Sequence, residues 1–235
     1  MTWIELAEGV LARRYAELDQ TLGIVIGSRR CLVIDTGTDE VHGAEHAAAI
    51  RELTPLPWTV VITHGHWDHH YGTRAFMAFQ PCPVLAHPLC AKAMASTAER
   101  DEWAARYRAE GRTALADRIA AVRIVAPTEV LPDRVELELG DRTVELLHPG
   151  RGHTDHDVVV HVPDAGVVFT GDLVEQGAPP SVGPDAHLGE WPSTLDAVLA
   201  TGAQVFVPGH GNPVDADFVR AQRDELSARA RSSGR

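Results

Sequence analysis

The sequence predicts an α/β fold of four layers, an αβ/βα sandwich with two face-to-face sheets and helices outside. Two observations carry this. Each half of the 235 residues is rich in strand-like runs and ends in helices, and elements with one apolar side bury it best in stacked layers. No linker or low-complexity stretch divides the halves, so residues 1–235 read as a single domain.

The elements follow in chain order. Gly9 to Tyr15 and Thr21 to Ile26 read as strands. Gly27-Ser28-Arg29-Arg30 turns the chain into a third, Cys31 to Asp35. Thr36-Gly37-Thr38 breaks that strand, and Asp39 to Leu53 follows as a helix with Thr38 as the expected N-cap. Thr59 to Ile62 is a buried strand, Tyr71 to Phe79 a helix and Pro83 to Ala86 a short strand. The stretch 88–122, rich in Ala, Arg and Glu, is a helical insert interrupted near Ser96-Thr97 and Gly111. Within it Trp103 and Tyr107 stand four apart and share a face, either packed in a core or capping the mouth of a pocket.

In the second half, Val135 to Leu139 and Thr143 to Leu147 form a hairpin across Gly140-Asp141. Val158 to Val162 and Val167 to Thr170 are strands, Trp191 to Ala200 a helix, Val205 to Pro208 a strand and Asp215 to Arg229 a closing helix.

The chemistry concentrates in His64-Gly65-His66-Trp67-Asp68-His69, four candidate metal ligands on the loop after the Thr59 to Ile62 strand. A loop held by a rigid sheet edge brings its ligands to one point. Gly152-His153-Thr154, Thr170-Gly171-Asp172 and Pro208-Gly209-His210-Gly211 add three more, the last two again after apolar runs. Imidazole and carboxylate suit zinc at roughly 2.0–2.2 Å; iron or manganese accept the same N/O donors. Of the 13 histidines, His156 lies close enough to His153 for a supporting role. His70 faces away if His69 faces a metal, and His87 ends a strand nearby. His42, His46, His148 and His161 carry no pattern.

Composition narrows the function class. A net charge of −12 argues against a nucleic-acid or anionic-membrane surface. The arginines of the helical insert are interleaved with Glu and Asp. No apolar run approaches a membrane span. Met1-Thr2-Trp3-Ile4-Glu5-Leu6 lacks the basic start and apolar stretch of a secretory signal, so a cytoplasmic location is expected. Cys31, Cys82 and Cys90 have no metal-type spacing and read as small buried thiols. The expected partner is a small-molecule substrate; oligomeric state is not encoded in any motif.

The ligand order resembles that of the metallo-β-lactamase superfamily over nearly the whole chain. That resemblance implies the same four-layer sandwich. It also implies two zinc ions, one held by His64, His66 and His153, the other by Asp68, His69 and His210, with Asp172 bridging. Two such ions about 3.5–4 Å apart share a nucleophilic hydroxide, which Asp68 would orient. The superfamily's di-iron members carry Glu where His66 stands, so His66 points to hydrolysis. Its mononuclear iron persulfide dioxygenases keep the His-x-His-x-Asp-His run and form one alternative.

Within the superfamily, Gly152-His153-Thr154 and the segment from Ala186 to Ser193 resemble class B β-lactamases. That alignment puts His187 where those enzymes place an Asn near the substrate carbonyl, making His187 a candidate oxyanion group. Asp172 replaces their Cys ligand and His69 adds a ligand, a set that resembles glyoxalase II and the lactonases. Glu175 falls where a substrate-binding Lys is expected, and a carboxylate there repels a β-lactam carboxylate. The reading is a dinuclear hydrolase of a small ester, thioester, lactone or amide. Trp67, Glu175 and His187 would touch substrate, together with the 176–190 loop. A weak β-lactamase and a non-catalytic metal-binding module are the remaining alternatives.

Overall fold

Side chains alternate across a strand with period two, and that alternation sorts the apolar residues into three layers of core. The computed structural model describes residues 2–233; Met1, Gly234 and Arg235, part of the expected 1–235 domain, lie outside the described residues. The first sheet runs in chain order through β1 (Trp3–Ala7), β2 (Val10–Arg14), β3 (Thr21–Ile26), β4 (Cys31–Ile34), β5 (Trp58–Val61), β6 (Val84–Ala86) and β7 (Glu129–Val130). Its pairings are antiparallel up to β4 and parallel beyond it. The second sheet is formed by β8 (Arg134–Glu138), β9 (Thr143–Leu147), β10 (Val159–Val162), β11 (Val167–Glu175) and β12 (Val205–His210). Their spatial order is β12-β11-β10-β9-β8, with β11 and β12 parallel.

Ile34, Val61, Val160, Phe169 and Val207 belong to the core between the sheets. Val60 and Ile62, one residue either side of Val61, face outward onto α1 (Glu40–Leu53) and α3 (Thr73–Phe79), where Ile50 and Phe76 complete the layer. On the far side Val168 and Phe206 pack on α7 (Trp191–Leu199) and α8 (Ala216–Ser233) through Trp191, Leu195 and Val219. Each fully buried side chain of this kind contributes about 1.5–3 kcal/mol. The expected αβ/βα sandwich is therefore the observed one. Cys31, Cys82 and Cys90 are buried and unpaired. Among the described residues no helix is long and apolar enough to cross a membrane.

Two edges differ from the sequence reading. β1 and the two-residue β7 were not expected; both are short edge strands, whose exposed faces weaken the apolar signal. The cap of α1 is Asp39 and not Thr38. Its Oδ1 accepts the Val41 and His42 N–H groups at 2.8 and 3.0 Å, where a carboxylate also gains from the helix dipole.

The insert consists of α4 (Pro88–Ala93), α5 (Ala98–Ala109) and α6 (Thr113–Ala121), broken near Ser96-Thr97 and at Gly111 as the sequence suggests. Arg118 anchors it to the body through Asp39 at 2.9 Å and Glu17 at 2.7 Å.

Candidate metal centre

The expected ligands arrive from elements that end at one side of the sandwich. His64 and His66 sit on the loop leaving β5. Asp68 and His69 lie on a one-turn helix, α2 (Trp67–His70). β11 continues past Thr170 and carries Asp172 and Glu175, while β12 ends on His210. Gly209 is required beside them, since a Cβ there would collide with Asp172 Oδ1.

Each histidine is oriented by the hydrogen bond of its outer nitrogen. His69 Nδ1–H donates to Asp35 Oδ2 at 2.8 Å, His210 Nδ1–H to the Leu18 carbonyl at 2.8 Å and His153 Nδ1–H to the Ser181 carbonyl at 3.1 Å. Thr63 Oγ1–H is committed to Asp35 at 2.7 Å, so it accepts from His64 Nδ1–H at 3.1 Å. These four bonds fix the tautomer and turn four Nε2 lone pairs inward. His66 is the inverse case: Nε2–H donates to Asp185 at 2.9 Å, leaving Nδ1 inside, 2.8 Å from His153 Nε2. Two lone pairs at that distance repel unless a proton or a cation lies between them.

The carboxylates complete the arrangement. Asp172 Oδ1 lies 3.2 Å from His69 Nε2, and its Oδ2 lies 3.4, 3.6 and 3.8 Å from the Nε2 atoms of His210, His153 and His64. Asp68 Oδ2 is 3.3 Å from His210 and 3.7 Å from His69. Ligand atoms of His64, His66 and His153 lie within 4.8 Å of one another, as do those of Asp68, His69 and His210 and those of His64, His69 and Asp172. His64 Nε2, His69 Nε2 and Asp172 Oδ1 are buried with no hydrogen-bond partner. Buried polar atoms are seldom left unpaired, so the donor set fits divalent metal.

The electrostatics agree. Burial keeps His64 well below its ordinary pKa and pushes His153 down to about 4, the neutral form a metal requires. Burial alone would raise the Asp68 carboxyl, yet His69 and His210 hold it down to about 2. Without a cation, nearby carboxylates drive His69 and His210 upward against their own desolvation. A divalent ion would replace those protons.

The cluster forms the floor of a cavity of about 1000 Å³. Trp67, Trp103 and Tyr107 line it, so the α5 face serves both packing and the cavity. Glu175 also lines it, but as a buried side chain whose Oε1 accepts the Ser181 N–H at 2.7 Å. Burial and Asp172 push its carboxyl up to about 8. His187 is not among the residues lining the cavity. Its ring lies 3.9 Å from Glu190, while its backbone N–H donates to the Gly152 carbonyl. From the same loop Asp185, two residues earlier, reaches the centre through His66.

The sequence profile of the metallo-beta-lactamase superfamily matches residues 17–210. The chain belongs to the metallo-beta-lactamase superfamily. A metallo-beta-lactamase type 2 of Bacillus cereus is 32% identical over 210 residues, covering 87% of this chain and 72% of that protein. The acyl-coenzyme A thioesterase MBLAC2 of Bos taurus is 28% identical over 214 residues, covering 83% and 74%. Among solved structures, TMB-1 superposes with a TM-score of 0.72 at 19% identity over 97% of both chains. A metallo beta lactamase from Erythrobacter litoralis gives 0.71 at 17% over 96% of both. At these identities the structures speak for the fold. As a member of this superfamily the chain is a metal-dependent hydrolase.

Several residues of this superfamily member's centre escaped the sequence reading. Asp35 accepts from Thr63 N–H, Thr63 Oγ1–H and His69 at once, and does so at φ 60. Leu18 and Asp19, at φ 59 and 57, present the carbonyls that receive His210 Nδ1–H and the Gly211 N–H. Such backbone costs about 1–3 kcal/mol per residue and collects at functional sites. An Asp closing a strand beside the ligand-bearing strand was the one available signal. His156, expected to support the centre, accepts the Gly65 N–H at 3.0 Å.

Proposed function

We propose that the chain works as a single-domain, dinuclear zinc-dependent hydrolase that cleaves a small ester, thioester, lactone or amide. His64, His66 and His153 would hold one ion, and Asp68, His69 and His210 the other, with Asp172 shared. The observation that carries this is the set of inward lone pairs, each fixed from outside by its own acceptor. Bound ions would polarise the substrate carbonyl and lower the pKa of water into the neutral range.

The chain's own groups do the rest. Asp68, kept ionised by its histidine neighbours, would help hold the second ion and orient the attacking water. Gln20 Nε2–H fixes the Asp68 backbone carbonyl and so the start of α2. Glu175, its carboxyl pushed up by burial, lies beside His153 and Asp172 and could donate to a substrate oxygen in its acid form. Trp67 and the α5 face exclude water. The relatives support the carbonyl class, since one is a β-lactamase and another an acyl-coenzyme A thioesterase.

The test is metal content by plasma mass spectrometry on protein purified without added metal, paired with turnover of ester, thioester, lactone and nitrocefin. About two zinc ions per chain with chelator-sensitive turnover is the expected result. One iron per chain, no hydrolysis, and sulfite release with oxygen uptake would overturn it in favour of a persulfide dioxygenase.

A further inference from the structure

The cavity above the centre carries a charge pattern of its own. Besides the ligands, the carboxylates of Asp19, Glu102 and Asp185 line it. Arg106 is the one Lys or Arg side chain among the described lining residues. Its Nε is held by Glu110 at 3.1 Å, and its guanidinium stacks over Trp103 at 4.6 Å. Beside these acids stands an apolar wall, Trp67, Trp103 and Tyr107, with ring centroids 5.5–5.8 Å apart.

We propose that the enzyme selects acyl substrates with no anionic group, neutral or cationic away from the scissile carbonyl, whose apolar arm lies on Trp67, Trp103 and Tyr107. The inference rests on the hydrolase reading and names its substrate class. A substrate carboxylate or phosphate would lose hydration on entry and find only Arg106, already shared with Glu110, while Glu102 on α5 repels it. A neutral or cationic leaving group meets no such cost, and the aromatic wall offers a cation π-faces.

The experiment uses three thioesters of one acyl group, with thiocholine, N-acetylcysteamine and mercaptopropionate as size-matched cationic, neutral and anionic leaving groups. Binding of the three uncleavable thioethers is measured by calorimetry on the metal-loaded protein. The cationic and neutral compounds are expected to exceed the anionic one by about tenfold in kcat/KM and in affinity. Glu102→Gln, an exposed change, should narrow that ratio by about threefold without altering the fold. An anionic thioether that binds as well as the others, or no thioether binding at all, overturns the proposal. Ordered thioether binding with no turnover of any thioester leaves charge selection standing and counts against the hydrolase reading instead.

Discussion

The inner and outer walls of the centre are held by hydrogen bonds of nearly equal length in different surroundings. On the inner wall His69 donates to Asp35 at 2.8 Å, with both side chains no more than 3% exposed. On the outer wall His66 donates to Asp185 at 2.9 Å, with Asp185 48% exposed. Length does not rank the two. A buried charge-assisted bond has no water to replace it, whereas an exposed one competes with solvent and loop motion. The inner wall should therefore be pre-organised by the sheets, and the outer wall adjustable through the 176–190 loop.

The largest effect is expected where both walls meet. Asp172→Ala removes the carboxylate that lies within 3.8 Å of four histidines. It should lower kcat/KM by about three orders of magnitude, ~4 kcal/mol of barrier, and reduce the metal recovered per chain. Normal metal content with normal turnover would sink the shared-ligand role. Next come the orienting carboxylates. Asp35→Asn should weaken metal affinity by about 10–100-fold, measured by chelator competition. Asp185→Asn should weaken it only a few-fold, about 0.5–1 kcal/mol, with a larger effect on KM than on kcat. Equal losses in the two variants would erase the distinction between the walls.

How much of this was legible in the sequence follows the same division. His64, His66, Asp68 and His69 could be read because one loop carries them, and the structure brings all seven expected ligands together. The strands that bear them announced themselves through β-branched runs. Asp35 could not be read in the same way. Its role depends on β4 lying parallel to β5, so that the Asp35 N–H reaches the Val61 carbonyl at 3.0 Å, a pairing that no local pattern encodes. Asp185 went unread for a related reason. A loop of prolines and glycines has no periodicity, so two residues of offset decide which side chain points inward.

The smallest prediction sets imidazoles held neutral by burial against those awaiting a metal. His46 Nδ1 accepts from the Tyr15 hydroxyl at 2.8 Å, and His42 Nδ1 accepts from the Thr38 N–H at 3.2 Å, both beneath the first sheet. Burial lowers both pKa values below 6.5. The unfolded chain then binds more protons, so each contributes stability above pH 6.5 that is lost as pH falls, about 1.4 kcal/mol per pH unit per group. His69 and His210 have the opposite sign in chelated protein. Their raised folded pKa values give stability that is present below 6.5 and lost as pH rises through the folded pKa. Metal removes those two protons, so urea unfolding between pH 7.5 and 5.5 should show a steeper acid loss for loaded than for chelated protein. His46→Leu should flatten both curves by the same amount, because its effect is independent of the metal. Identical slopes in loaded and chelated protein would mean that His69 and His210 do not exchange protons for metal.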